Sequence, residues 1–357
     1  MSLFRTDLLQ AGPPADISVP RKKNMMCLNE SVLDPYQVID EAFHQNMQEI
    51  TLNRYFSQVT PELKRLLIEY VGHGIEGGNL LWGNGADDML FACFLAVRED
   101  NDAFALSLAP SYFDYSTYSR AAGLGIKFMD FQADFDFDEN AYLKILNSNN
   151  CRLGILCNPN NPTGHLLSDD KILYILQNTK KPVLLDETYF EFSGKTFADR
   201  IKDFSHLLIV RSFSKSFSAA GLRFGYIISQ AQNIEELRKV QTIFNTSIMV
   251  QTFVMTMLMN KELFLKHTKE AVALKQELYE EMCQIKALKV YPSHTNFVTF
   301  CAHERSAALF EHLQHQDIAI RDVGAHPLLA RCLRVSVGSR EQNRYFVNTV
   351  KSFFNEQ

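Results

Sequence analysis

The chain has 357 residues, 46% hydrophobic and 22% charged, with 36 Lys and Arg against 41 Asp and Glu for a net charge of −5. Such values are those of an ordinary globular protein; they argue against global disorder and a collagen-like or coiled-coil rod, and they give no overall basic excess for nucleic acid. At roughly 100–200 residues per domain, the length predicts about two domains that bury their own cores.

The first 25 residues, with several Pro and the run Arg21-Lys22-Lys23, read as an irregular arm whose basic run is solvated surface. Pro61–Val71 reads as a helix with Thr60 as N-cap and Pro61 in the first turn. Asp87–Val97 is apolar nearly all round, as a buried helix is. Short runs that fit strands follow: Ala103–Leu108, Ile126–Phe131, Leu153–Cys157, Val183–Asp186, Leu207–Arg211 and Gly225–Ile228. Helical patterns lie between several of them, which predicts an α/β fold, a mostly parallel sheet sandwiched by helices.

After about residue 232 the texture changes. Glu235–Met259 reads as helical and Leu263–Gln284 as a long charged amphipathic helix. Strands at Phe297–Phe300, Ile318–Arg321 and Leu333–Val337, with helices at Arg305–His315 and Gln342–Phe354, predict a smaller α+β domain. The expected division is an arm and part of the small domain at 1–45, a large domain at 46–245 and a small domain at 246–357.

The seven Cys form no Cys-x-x-Cys pair and read as scattered, reduced, mostly buried thiols, which points to the cytoplasm. The N-terminus lacks the basic-then-apolar layout of a secretory signal. The longest apolar stretch, Ile248–Met259, is too short to span a bilayer. The ten His show no metal-ligand spacing, so no metal is expected.

Three polar landmarks follow three predicted strands. Asn161 lies in Asn158-Pro159-Asn160-Asn161-Pro162-Thr163-Gly164, Asp186 ends Val183–Asp186 with Tyr189 three residues on, and Lys215 follows Leu207–Arg211. In an open parallel sheet the strand carboxyl ends share one edge, where ligands bind, so amide, carboxylate and amine should converge. A Lys near an apolar wall has a lowered pKa and forms a Schiff base with an aldehyde. A carboxylate nearby holds a pyridinium nitrogen protonated, and that Lys–Asp pair is what a protein contributes to pyridoxal phosphate chemistry. Gly83-Asn84-Gly85-Ala86-Asp87 precedes the buried helix and can aim N–H groups at a phosphate, with Ser212, Ser214 and Arg223 adding hydroxyls and a charged fork. Each feature alone also reads as an ordinary turn, cap or exposed lysine; their order after consecutive strands is the specific signal.

Asn160-Asn161-Pro162-Thr163-Gly164, Asp186-Glu187-Thr188-Tyr189, Ser212-Phe213-Ser214-Lys215-Ser216 and Ala220-Gly221-Leu222-Arg223-Phe224-Gly225 together resemble the class I/II aminotransferases, pyridoxal-phosphate enzymes of fold type I. The likeness runs from about Leu28 to the C-terminus. Leu28-Asn29-Glu30, Arg54-Tyr55, Pro110-Ser111-Tyr112, Pro292-Ser293 and Leu333-Arg334-Val335-Ser336-Val337-Gly338 make it most similar to the histidinol-phosphate aminotransferase branch. The resemblance implies a Schiff base on Lys215, which also shuttles the proton, with Asp186 on the pyridine nitrogen. It places Asn161 and Tyr189 on the ring oxygen and Tyr112 stacked on the ring. Ala86, Asp87, Ser212, Ser214 and Arg223 hold the phosphate. Tyr55 reaches the neighbouring subunit's cofactor in a homodimer with shared sites. Arg334, helped by Arg321, binds the substrate's acidic end.

The implied reaction is transfer of an amino group from a small acidic amino donor, histidinol phosphate in that branch, to a 2-oxo acid such as 2-oxoglutarate, in histidine biosynthesis. Two features depart from the branch: Ala86 stands where a small hydroxyl residue is usual, and no Asn-Pro pair follows Glu30. Arg321-Asp322-Val323-Gly324-Ala325-His326-Pro327 resembles instead the threonine-phosphate decarboxylases of corrinoid synthesis, which is the alternative reaction. No nucleic-acid or membrane partner is expected.

Overall fold

The computed structural model describes residue 5 and residues 19–55, 57–99 and 102–355. In chain order its strands are β1 (Asn24–Met25), β2 (Leu80–Gly83), β3 (Phe104–Ala109), β4 (Gly125–Asp130), β5 (Cys151–Cys157), β6 (Val183–Asp186), β7 (Leu207–Ser212), β8 (Gly225–Ser229), β9 (Lys289–Val290), β10 (Phe297–Cys301), β11 (Ile318–Ala319), β12 (Arg321–Asp322) and β13 (Cys332–Ser336). Seven of them form a sheet in the order β2-β8-β7-β6-β5-β3-β4. All run parallel except β8, which is antiparallel to both neighbours.

The central strands are near-continuous apolar runs because both faces are covered. Leu185, Ile209 and Ile228 point into one core, which they share with Leu63 and Leu67 of helix Val59–Val71, Ile172 of Asp169–Gln177 and Val254 of Ile248–Met259. Leu184, Val210 and Ile227 point into the other, against Leu90 and Phe94 of helix Ala86–Val97 and Leu237 of Ala231–Arg238. This is the helix-sandwiched, mostly parallel sheet that the alternating runs predict. A second sheet, β12-β13-β10-β9, is antiparallel throughout. It packs Val298, Phe300 and Val335 against Leu309, Leu313, Phe346 and Val350 from helices Ser306–His315 and Arg340–Phe354.

Several expected elements are corrected. Glu235–Met259 is not one helix: Ala231–Arg238 stops, and Ile248–Met259 starts anew behind Ser247, whose hydroxyl accepts from Val250 N. The break carries Gln241 and Asn245, whose amides donate to Trp82 O, and polar side chains that bond backbone compete with a continuous helix. Helix Ile248–Met259 is mostly buried and packs on Pro35–Met47 and Val59–Val71. Thr60 is not an N-cap. The helix begins at Val59 behind Gln58, and the Thr60 hydroxyl donates instead to Gln251 Oε1 at 2.7 Å, a tertiary bond replacing a local one.

The run Ile318–Arg321 divides between two sheets, with β11 parallel to β1 and Arg321 opening β12 against β13. Of the arm expected over the first 25 residues, 1–4 and 6–18 lie outside the described residues, and its last two, Asn24–Met25, form a strand rather than irregular chain. Strand β2 escaped the sequence reading because its apolar run is only Leu80-Leu81-Trp82. All seven Cys are free and six are buried, Cys283 being exposed. Among the described residues no single helix is long and apolar enough to cross a membrane.

Candidate active site

The parallel strands end along one edge, and the chain leaving them carries the polar residues. Asn161 follows β5, Asp186 ends β6, Lys215 follows β7, and helix Ala86–Val97 follows β2. The reversed strand β8 starts at this same edge, with Gly225 opposite both Ser212 and Gly83. The connection from Phe213 to Phe224 thus leaves the edge and returns to it, presenting Lys215 early and Arg223 late.

Asp186 is buried, and each of its oxygens is bonded. Its Oδ1 accepts from Thr188 N at 3.0 Å and Thr188 Oγ1 at 2.6 Å, and its Oδ2 accepts from Tyr115 Oη at 2.6 Å. Burial pushes its carboxyl pKa up, opposed by the bonds from Thr188 and Tyr115. A cation placed against it relieves that desolvation, which is what a pyridinium does. Tyr115 has no accessible surface and escaped the sequence reading. Its signal was its place one helical turn beyond Tyr112, on the buried face of Asp114–Ala122.

Lys215 Nζ donates to Leu28 O at 2.9 Å. Burial, then the nearby Arg334 charge, brings its pKa down from 10.5 to about 8, against the pull of Glu30 and Asp87. About a tenth of the amine is therefore neutral and nucleophilic near pH 7, against less than a thousandth at its ordinary value. The Arg334 guanidinium is also buried, which lowers its pKa to about 10. Its Nη1 donates to Asn161 Oδ1 at 2.6 Å and its Nη2 to Cys27 O at 3.0 Å, while Nε has no partner. Phe297 lies under its plane at 5.1 Å. Arg321 stands directly opposite Arg334 in the β12–β13 register. Like charges opposite one another on a sheet are unfavourable, so this pairing is suited to an anion.

Around the N-terminus of helix Ala86–Val97 the backbone is tightly confined. A Cβ on Gly225 would lie 2.3 Å from Ala86 N, and one on Gly85, at φ +88°, would lie 2.4 Å from Arg223 Nη2. These two glycines let β8 and the Arg223 fork close on the helix terminus. Arg223 Nη2 donates to Asp87 Oδ2 at 2.9 Å and Nη1 to Ala220 O at 3.1 Å, with Ser214 Oγ at 3.5 Å. The Ser212 hydroxyl accepts from Ser214 N at 3.1 Å. Tyr112 Oη donates to Asp87 Oδ1 at 3.2 Å, and its ring meets Tyr115 edge-on. Tyr189 is buried, its hydroxyl accepting from Asn29 Nδ2 at 2.8 Å.

Bonds, strand register or charge proximity thus link Lys215, Asp186, Asn161, Tyr189, Tyr112, Asp87, Ser212, Ser214, Arg223, Arg321 and Arg334, with Ala86 at the helix terminus. Tyr55 is different: it is exposed, and its ring stacks on Phe244 at 4.2 Å. The carbonyls of Cys27 and Leu28 were invisible to sequence reasoning, because a backbone acceptor leaves no residue signature. The donor set fits pyridoxal phosphate: a poised amine for the aldehyde, a desolvated carboxylate for the ring nitrogen, and a helix terminus with an Arg fork for the phosphate.

The pattern of the family described as aminotransferase class I and II matches residues 22–350. A histidinol-phosphate aminotransferase of Thermoanaerobacter sp. (strain X514) is 31% identical over 321 residues, covering 89% of this chain and 90% of its own. Among solved structures, histidinol-phosphate aminotransferase from Sinorhizobium meliloti in complex with pyridoxal-5'-phosphate superposes with a TM-score of 0.86 at 21% identity, over 99% of both chains. The L-threonine-O-3-phosphate decarboxylase of Porphyromonas gingivalis superposes at 0.78 with 20% identity, over 93% of this chain and 100% of its own. The chain belongs to the pyridoxal-phosphate-dependent class I and II aminotransferases.

Proposed function

We propose that the protein transfers the amino group of a small donor with a dianionic end, histidinol phosphate, to a 2-oxo acid such as 2-oxoglutarate. The observation that carries this reading is the Arg321–Arg334 pair, two guanidinium groups opposed across β12 and β13, of which Arg334 acts on Lys215. Such a pair takes a phosphate monoester or a carboxylate, which suits an enzyme whose two substrates share one anion site. The curated relatives, at 28–32% identity, carry the same activity in their names.

When bound, the cofactor supplies an electron sink for the charge left by deprotonating the donor's α carbon. The chain's residues do the rest. Asp186 holds the ring nitrogen protonated, fixed in place by Tyr115 and Thr188. Lys215 would hold the aldehyde and, when free as a neutral amine, would take and return the proton at the donor's α carbon. Asn161 and Tyr189 orient the ring through its oxygen, and Tyr112 covers its face. Ser212, Ser214, Arg223 and the N–H groups of Ala86 and Asp87 anchor the phosphate. Arg334, with Arg321, grips the acidic end and orients the α-hydrogen.

The same reading makes the protein a cytoplasmic homodimer with sites completed across the interface. It also divides the chain into an arm with part of the small domain at 1–45, a large domain at 46–245 and a small domain at 246–357. The support for assembly is the exposure of four apolar side chains, Leu52, Tyr55, Ile243 and Phe244, with Tyr55 stacked on Phe244.

The test assays histidinol phosphate with 2-oxoglutarate beside threonine phosphate, with products identified. Glutamate and the keto phosphate are expected. Carbon dioxide release from threonine phosphate, without amino transfer, would replace this reading with decarboxylation, the reaction to which Arg321–Pro327 bears a likeness.

A further inference from the structure

Asn29 is buried, at 2% exposure, and sits at φ +55°, a left-handed conformation that Asn tolerates better than most side chains. Every polar group it owns is bonded. Its N–H donates to Ser336 Oγ at 2.8 Å, and its C=O accepts from Asn296 Nδ2 at 2.9 Å. Because the Ser336 oxygen is already accepting from that N–H, its hydrogen is free to donate to Asn29 Oδ1, at 3.2 Å. The reverse orientation of the Asn29 amide would leave the Ser336 hydrogen without this acceptor, so the orientation with Oδ1 towards Ser336 is the better satisfied one. Nδ2, a donor only, is turned on Tyr189 Oη at 2.8 Å.

A phenol oxygen that accepts one hydrogen bond still has its own hydrogen to give. Asn29 cannot take it, since the atom facing Tyr189 is an NH₂. The other charged or titratable groups felt by the Tyr189 hydroxyl are Arg334 on β13, Asp186 at the end of β6 and Cys157 at the end of β5. Arg334 cannot accept, the Cys157 thiol is a weak acceptor whose own hydrogen goes to Pro159 O, the Asp186 oxygens are turned to Thr188 and Tyr115, and among the described residues no hydrogen bond runs from the Tyr189 hydroxyl to any of them.

We infer that Asn29 is a positioning residue: its amide, locked by Ser336, donates into the Tyr189 oxygen and so commits the Tyr189 hydrogen to the ring oxygen of the cofactor. The inference rests on the role given to Tyr189 under the proposed function. Donation into the phenol oxygen also makes its hydrogen a stronger donor, since linked hydrogen bonds polarise one another. The ring oxygen then holds a neighbouring proton less tightly.

The experiment reads the pH midpoint of the cofactor's visible absorption in the pyridoxal-phosphate-loaded protein. Variants are Asn29→Gly and Asn29→Asp, both tolerant of positive φ, with Asn29→Gly repeated in a Tyr189→Phe background. Asn29→Gly should raise the midpoint by about half a unit, the pH equivalent of weakening one neutral hydrogen bond. Asn29→Asp should raise it further, because the carboxylate takes the Tyr189 hydrogen for itself. In the Tyr189→Phe background, Asn29→Gly should add nothing. A midpoint unmoved by Asn29→Gly, or moved equally with and without the Tyr189 hydroxyl, overturns the inference. If the unaltered protein shows no visible band with pyridoxal phosphate, the cofactor reading falls as well; a normal band with unmoved variants removes the role of Asn29 alone.

Discussion

Replacing Lys215 by Met should make the cofactor-free protein more stable near neutral pH, with a gain that fades as the pH is raised. Burial and Arg334 hold the Lys215 ammonium down from 10.5 to about 8. In the unfolded chain the amine titrates near its ordinary value. Between about pH 8 and 10.5 the unfolded state therefore binds more protons than the folded one, and stability rises with pH through that window. Below it both states are charged, and the full cost of housing the cation is present. At about 1.4 kcal/mol per pH unit, the fall from 10.5 to about 8 corresponds to about 3 kcal/mol. Two effects reduce what the variant gains. The side chain keeps part of its surface in solvent, which screens its charge, and Met forfeits the bond to Leu28 O, worth about 1 kcal/mol. A net gain of about 1–2 kcal/mol near pH 7 is expected, falling towards zero by about pH 10. Urea unfolding of both cofactor-free proteins, followed by far-UV circular dichroism across that range, measures it. A variant no more stable than the parent near pH 7, or a gain constant with pH, would refute the argument that Lys215 is a strained cation.

The remaining expectations concern the loaded enzyme. Asp186→Ala should lose roughly 10²-fold or more in kcat, as when a transition-state charge stabiliser is removed, while cofactor affinity changes far less; near-normal turnover would show that Asp186 is not the pyridinium partner. Tyr115→Phe removes one charge-assisted hydrogen bond from Asp186 and should cost roughly 10-fold in kcat, read by single-turnover kinetics at saturating cofactor. Arg334→Lys keeps the charge but loses the fork and should lower kcat/KM for an acidic donor much more than for a matched neutral amine; equal losses would point to a folding or closure defect. Mixed dimers of Lys215→Ala with an inactive Tyr55 variant should regain part of the activity, because one site then carries neither defect; heterodimers that form but stay inactive would return Tyr55 to its own subunit.

Much of this site was readable because side chains with unusual chemistry follow strands of unmistakable pattern. Val183–Asp186 is found to the residue, and the landmarks Asn161, Asp186 and Lys215 fall at one sheet edge as parallel topology requires. What stayed hidden depends on contacts between distant segments. Tyr115 is one of two tyrosines in its helix until the fold sets it against Asp186. Thr60 looks like a cap, and only the arrival of Gln251 from a remote helix explains its true partner. The helix break before Ser247 is set by the Trp82 carbonyl, on a strand too short to be recognised. Asn29 belongs to a recognisable motif, yet its left-handed backbone and its grip on Tyr189 appear only when β13 supplies Ser336.

The reversal of β8 also bears on how the sequence can change. A crossover between parallel strands runs over a helix, and residues can be added to it without disturbing either strand end. The arc from Phe213 to Phe224 has no such slack. It joins neighbouring antiparallel strands in register at Ser212 and Gly225, and it is pinned inside by Phe213 N on Phe224 O, Ala219 N on Phe213 O and Thr268 Oγ1 on Ser216 O. One residue gained or lost between Lys215 and Arg223 would pull the amine and the guanidinium out of their common alignment. Insertions and deletions in this stretch should therefore cost activity, and a library built to alter what the enzyme accepts should vary lengths elsewhere, such as the loop leading into β12, while holding this arc at its present count.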